Sequence, residues 1–342
     1  MQLGIYPLFL SLTESDWQQR IEAAWELLRG PCRVCPRYCK VDRTDRDSPR
    51  VGFCRVKDRA VVFSFHAHHG EEDPLRGRRG SGTIFFSSCN LACVFCQNWE
   101  ISQAREGRAV SEEELAVMML ALQGQGCHNI NLVSPSIYVP QIIKTAHVAC
   151  QHGLRVPFVY NTGAYDSPES LRLLDGIVDI YMPDAKYSDD HVAGKLSLVK
   201  DYWRVARAAI KEMHRQVGDL AISAEGLATR GVLVRHLVLP NGLAGTREVA
   251  RFLAREVSPH TYVNVMGQYR PEHRAFEHPE IESGDPRSNP GRKRTAPTSA
   301  RPPSSSAFEM NRRGTRPCGP NAFLAATPHS HGSALTTAGG AA

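Results

Sequence analysis

A chain of 342 residues, 42% hydrophobic and 22% charged, is long enough to bury a substantial core and has the composition of a globular protein. No apolar run approaches the roughly 20 residues needed to span a bilayer. The start, MQLGIYPLFLSLTESDW, carries neither a basic n-region nor a small-residue cleavage site, so it reads as mature, cytoplasmic sequence with no membrane partner. The net charge of +6 argues against nucleic acid once it is located: residues 278–342 hold eight Lys/Arg against four Asp/Glu, which leaves only +2 for the first 277 residues.

Residues 11–30 read as a helix, with Trp17, Ile21, Ala24, Trp25 and Leu28 at helical spacing. A Cys/Arg/Pro-rich segment follows through residue 59. Strands are then expected at Thr83–Ser87, Asn129–Val133, Pro157–Asn161, Val178–Met182, Val232–Leu239 and Tyr262–Met266, as short apolar or β-branched runs. Helices are expected near 111–125, 139–152, 168–175, 200–217 and 246–257. Ser111 with Glu114 makes a capping box, and Ser167 precedes a proline suited to a first helical turn. Six βα repeats predict a parallel α/β fold, open or partly closed; we take it as a partial (β/α)6 TIM-like barrel. Three regions are expected: 1–60, an N-terminal helix and Cys-rich metal-binding extension; 61–276, the barrel; and 277–342, a disordered tail. That tail, rich in Pro, Ser and Arg, has too little apolar surface to offset the entropy of ordering. In such folds ligands bind at the C-terminal ends of the strands.

The ten cysteines decide the chemistry. A disulfide framework belongs to small secreted chains, whereas these lie at short spacings in a large one, so metal ligation is the better reading. Directly after the first expected barrel strand stands Cys89-x3-Cys93-x2-Cys96. Three soft thiolates can wrap three corners of a [4Fe-4S] cubane and leave one iron open to a substrate or cofactor. A structural zinc site wants four protein ligands, usually as CxxC pairs, and buried structural cysteines are the remaining alternative. Upstream, Cys32-x2-Cys35-x3-Cys39-x14-Cys54 offers four ligands for a second metal, either zinc or a further iron–sulfur cluster; four free thiols in an Arg-rich cap are the alternative.

The pattern CxxxCxΦC, with Phe95 before the last cysteine, resembles the signature of the radical S-adenosylmethionine (SAM) superfamily. The segments CRVCPRYC, FFSSCNLACVFCQNWEIS, NINLVSPS, YNTGAYDS, LLDGIVDIYMPDAKY, RHLVLPNGLAGT and YVNVMGQYRP resemble a narrower branch, the PflX-type relatives of pyruvate formate-lyase activating enzyme. Together they span about residues 30–271. The resemblance implies an oxidoreductase in which the open iron chelates SAM. Reductive cleavage would then give methionine and a 5′-deoxyadenosyl radical that abstracts hydrogen, in one version from a glycine of a partner enzyme. It implies a reductant such as flavodoxin or ferredoxin. Ser134 and Ser136 fall where many members carry a GGE-type contact to the SAM amino group, and here the glycines and the acid are absent. Asp184-x-Lys186 resembles the D-x-K of the glycyl-radical activating enzymes. By that resemblance Lys186 is a SAM contact, and Asn161, Thr162, Met182 and Asp184 are candidates for a monovalent cation site. A strand-ending turn and a surface salt bridge are the plainer readings of these two groups.

His236 and His214 read as core or surface histidines. His66, His68 and His69, with Glu71 and Glu72, read as a loop at the barrel entrance. A non-catalytic iron–sulfur or zinc protein is the alternative function, and the open iron of a three-cysteine loop argues against it. A nucleic-acid-binding metalloprotein has only the N-terminal cysteines and the basic tail in its favour. No residue of the chain is assigned a direct catalytic role.

Overall fold

The computed structural model describes residues 7–282, which lie within one compact unit. Cys318 and residues 283–342 of the low-complexity segment, expected to be disordered, lie outside the described residues. Helix α1 (Glu14–Glu26) starts at a capping box: Asp16 N–H donates to Thr13 Oγ1 at 3.2 Å and Thr13 N–H to Asp16 at 2.9 Å. Its buried Trp17 stacks on His147 at 5.3 Å. Residues 27–59 form neither helix nor strand, yet Val34, Val56 and three of their cysteines are buried in the main core.

The rest alternates. β1 (Ala60–His68), α2 (Asp73–Arg76), β2 (Ser81–Phe86), α3 (Trp99–Ser102) and β3 (Arg108–Val110) come first. Then follow α4 (Glu112–Gly124), β4 (Ile130–Val133), α5 (Val139–Gln151), β5 (Phe158–Thr162), α6 (Pro168–Leu173) and β6 (Ile180–Pro183). Last come α7 (Asp190–Ser197), α8 (Tyr202–Val217), β7 (Ala221–Ile222), β8 (Ala228–Leu237), α9 (Thr246–Phe252) and β9 (Tyr262–Met266). Strands β2, β4, β5, β6, β8 and β9 pair in that order, all parallel, which is the six-stranded run expected of a partial (β/α)6 barrel. The run does not close on itself, because the free edge of β2 is taken by antiparallel β1, which in turn pairs with β3.

β1 and β3 were not expected. β1 is only half buried and loses its apolar alternation toward His66 and His68, so its pattern blends into the preceding loop. Because β1 runs antiparallel to β2, His68 pairs with Ser81 at the start of that strand. His66 and His68 are therefore strand residues, and the loop carrying Glu71 and Glu72 lies at the N-terminal end of the barrel rather than at its entrance. Gly231 shows how tightly β8 is seated: its φ is +121°, and a Cβ there would lie 2.3 Å from the Asp219 carbonyl.

Side chains alternate across each strand. Tyr160, Tyr181 and Val234 face outward into the core shared with the helices. Val159, Ile180, Met182 and Leu233 face inward and form a second cluster with Leu75 of α2. Leu75 is fully buried there, which contributes roughly 1.5–3 kcal/mol. Two residues beyond three of these inward positions come Asn161, Asp184 and Arg235, so the lumen is apolar at its floor and polar toward the C-terminal ends of the strands.

Candidate active site

The cysteine loop leaves β2 and is clamped from several sides. Ala92 N–H and Val94 N–H donate to the Ser197 and Leu196 carbonyls at 3.2 and 2.9 Å, and Asn90 Nδ2 donates to the Tyr165 carbonyl at 2.6 Å. Each sulfur has a polar neighbour: Leu91 N–H lies 3.4 Å from Cys89 Sγ, Ser197 Oγ 3.0 Å from Cys93 Sγ, and Ser102 Oγ 3.2 Å from Cys96 Sγ. Burial pushes the Cys93 thiol up and the Cys89 thiol to about 12, and the Lys186 ammonium pulls against both shifts. Thiolate forms of this loop therefore call for a compensating cation.

Beside the loop lies a charged network inside the barrel. Arg235 Nε donates to Asp184 Oδ1 at 2.8 Å, and Arg235 Nη2 to Asn161 Oδ1 at 2.8 Å. Lys186 Nζ donates to the other Asp184 oxygen at 2.8 Å. From the floor, Glu71 accepts from Asn131 Nδ2 at 2.8 Å and lies 3.4 Å from Arg235 Nη1. Glu72 accepts from Asn264 on β9 at 2.8 Å. Burial alone would raise the Asp184 carboxyl, but Arg235 and Lys186 outweigh it and hold it below the usual carboxylate range. The Lys186 ammonium is disfavoured by burial, yet Asp184 keeps it charged and raises it above its ordinary value. Tyr202 fixes the strand ends: its one hydroxyl proton is shared between the Asp184 and Gly163 carbonyls, at 2.6 and 3.0 Å, and its oxygen accepts from Lys186 N–H at 2.9 Å.

This arrangement puts three thiols and a lysine at the C-terminal mouth of a parallel barrel. The sequence profile of the radical SAM superfamily matches residues 83–224, from β2 through β7. An uncharacterised protein of Methanocaldococcus jannaschii is 33% identical over 273 residues, which covers 77% of this chain and 72% of that protein. The chain belongs to the radical SAM superfamily. A second uncharacterised protein of the same organism is 23% identical over 176 residues, or 46% of this chain and 50% of that one. Among solved structures, methylornithine synthase superposes with a TM-score of 0.41 at 18% identity, over 59% of this chain and 57% of that one.

Membership makes this a radical SAM enzyme and implies a [4Fe-4S] cluster, SAM and a reductant. The loop's donor set fits the cluster. A cubane takes each thiolate on a different iron, so its ligands stand further apart than thiolates sharing one ion. All nine cysteines among the described residues are free thiols.

The other expected residues divide into two groups. Asn161, Asp184 and Lys186 meet in the lumen of the radical SAM barrel, where Asp184 lies between the Lys186 ammonium and the Arg235 guanidinium and Arg235 also bonds Asn161. Ser136 and Thr162 meet elsewhere. Their hydroxyls lie 2.9 Å apart, and Thr162 Oγ1 donates to the buried carboxyl of Asp166 at 2.5 Å. Ser134 forms a left-handed turn after β4 (φ 60°) and its N–H donates to the Asn161 carbonyl. Met182 is part of the apolar floor. Phe95 is buried edge-on against Tyr187 and Tyr269, with ring centroids 6.3 and 6.0 Å away. His236 is buried and bonded to the Ala185 carbonyl and Thr246 Oγ1, and His214 pairs with Asp219. Arg235 was not anticipated from the sequence, and Glu71 was placed only in a loop at the barrel entrance. A lone arginine inside the apolar run GVLVRHLVL was the available signal for the first. Glu71 enters the lumen from the loop between β1 and β2, a hairpin whose first strand lacks a clear apolar alternation.

Proposed function

We propose that Cys89, Cys93 and Cys96 ligate the [4Fe-4S] cluster and that the chain reductively cleaves SAM to methionine and a 5′-deoxyadenosyl radical. The supporting observation is the juxtaposition of the three-thiol loop with Lys186 at the polar end of the lumen. When bound, a cluster held by these thiols would supply one electron and a coordination site for SAM. The protein's part is to hold and orient. Ser197, the Leu91 N–H and Ser102 steady the sulfurs, Lys186 offers a cation to an anionic ligand group, and the Asp184–Arg235 pair fixes Lys186 in place. In the finer version of this reading the hydrogen donor is a glycine of a partner enzyme, and a flavodoxin or ferredoxin delivers the electron. The resemblance of Asp184-x-Lys186 to glycyl-radical activating enzymes favours it.

Anaerobic reconstitution followed by SAM and dithionite tests the chemistry. Methionine and 5′-deoxyadenosine are expected, and Cys93→Ala should abolish both. A reconstituted cluster that never cleaves SAM refutes the proposal. A glycyl radical signal on a co-incubated partner supports the finer version; SAM turnover that never transfers spin to any partner overturns that version alone.

A further inference from the structure

Cys32, Cys35, Cys39 and Cys54 take no part in this reaction, yet they converge. All four line one cavity of about 10 Å³, together with Arg37 and Arg43. Three of the sulfurs already accept backbone N–H groups: that of Phe53 reaches Cys39 Sγ at 3.4 Å, and those of Val34 and Arg37 serve Cys32 and Cys35. Gly52 leaves room for this, since a Cβ there would sit 3.1 Å from Cys39 Sγ.

The charges around the cavity point to a centre of net negative charge, the thiolates included. Arg43 is 2% exposed, and its hydrogen bonds, at 2.8 to 3.2 Å, go to the carbonyls of Val56, Lys57 and Ile137 rather than to a carboxylate. A buried guanidinium normally has an anionic partner. The ionisable groups beside this one include Cys54, Cys32 and Cys35. Arg37 also bonds only carbonyls, those of Asn90 and Leu198, and its buried Nη2 has no partner. Four thiolates on one divalent ion leave two negative charges in excess, and two guanidiniums balance them. The cavity has room for about one water-sized sphere, which suits a single ion and not a cubane.

We propose that Cys32, Cys35, Cys39 and Cys54 hold one zinc ion as a structural tetrathiolate centre, neutralised by Arg37 and Arg43. Arg37 then ties that centre to the cluster loop through the Asn90 carbonyl at 2.9 Å, so the ion braces the loop that carries Cys89, Cys93 and Cys96. Thiolates sharing one zinc stand roughly 3.8 Å apart, given bonds of roughly 2.3 Å. Among the described residues no three His, Cys, Asp or Glu side chains are closed around one ion-sized point, so ion binding draws these thiols inward over the cavity they line.

The test uses the full chain with Cys89, Cys93 and Cys96 all changed to Ala, so its outcome does not depend on SAM chemistry. Elemental analysis should find about one zinc per chain, released in step with roughly four thiols on mercurial titration. Cys35→Ser on that background should lose the zinc; if that variant does not fold, the titration of its parent still decides. Iron at about four per chain, metal-free protein, or zinc retained by a folded Cys35→Ser variant overturns the site. Removing the zinc should speed amide exchange at residues 90–94 several-fold, and unchanged exchange there overturns the bracing.

Discussion

Arg235→Met removes a guanidinium that bonds Asp184, Asn161 and Glu71 while keeping much of the side chain's length and apolar bulk. Two charges about 4 Å apart at an effective dielectric near 20 interact by roughly 4 kcal/mol. Stranding one member of a buried pair typically costs about 3–5 kcal/mol. Here Arg235 and Asp184 are 18% and 20% exposed, and Lys186 still holds Asp184, so solvent and the second cation absorb part of the loss. The expected cost is about 2 kcal/mol, or a fall in apparent Tm of roughly 3–4 °C for a folded unit of this size by differential scanning fluorimetry. Adding Asp184→Asn removes the stranded carboxylate, so the double variant should show a coupling of at least about 1 kcal/mol. The sign with pH follows from the depressed Asp184 value. That stabilisation is present above the ordinary carboxylate range near pH 4 and is lost as pH falls through the lower folded value. The gap between wild type and Arg235→Met should therefore shrink in acid. A single variant within about 1 °C of wild type at pH 7, or strictly additive effects, refutes the network as described.

Two further outcomes follow from buried groups near the strand ends. Burial raises Asp179 from 3.8 to about 7, against the N–H groups of Leu8 and Phe158 that it accepts. Its contribution to stability is thus fully present below about pH 4 and is lost as pH rises toward 7, a swing on the order of 4 kcal/mol. Asp179→Asn cannot titrate, so its deficit in Tm relative to wild type should narrow between pH 5 and 8; a constant gap contradicts the shift. Tyr202→Phe leaves the Asp184 and Gly163 carbonyls and the Lys186 N–H without their shared partner, at a cost of about 1–3 kcal/mol. Because Lys186 then loses its backbone anchor, SAM affinity by calorimetry should fall as well. Unchanged Tm and affinity together would remove Tyr202 from the positioning role.

Much of the parallel barrel was legible because each of its strands carries its own local signature. β9 lies at Tyr262–Met266 as expected, and Ser111 caps α4 through the capping box with Glu114. Asp184 and Lys186 were found through the D-x-K pattern that directly follows β6, which ends at Pro183. Ser136 and Thr162 also stand at strand ends, yet their hydroxyls turn to Asp166. Position in a strand does not say which of two polar partners a hydroxyl will meet.

The three-cysteine loop, its place after a strand and the parallel α/β pattern can all be read along the chain, because covalent spacing and hydrophobic period are local properties. What surrounds that loop is set by folding. The antiparallel β1–β2 hairpin brings Glu71 up from the floor to within 3.4 Å of Arg235, 164 residues away. The same folding carries Arg37 to Asn90 and buries Arg43 among the N-terminal thiols. Electrostatic partnership depends on distance in space, and no period or spacing along the chain records it.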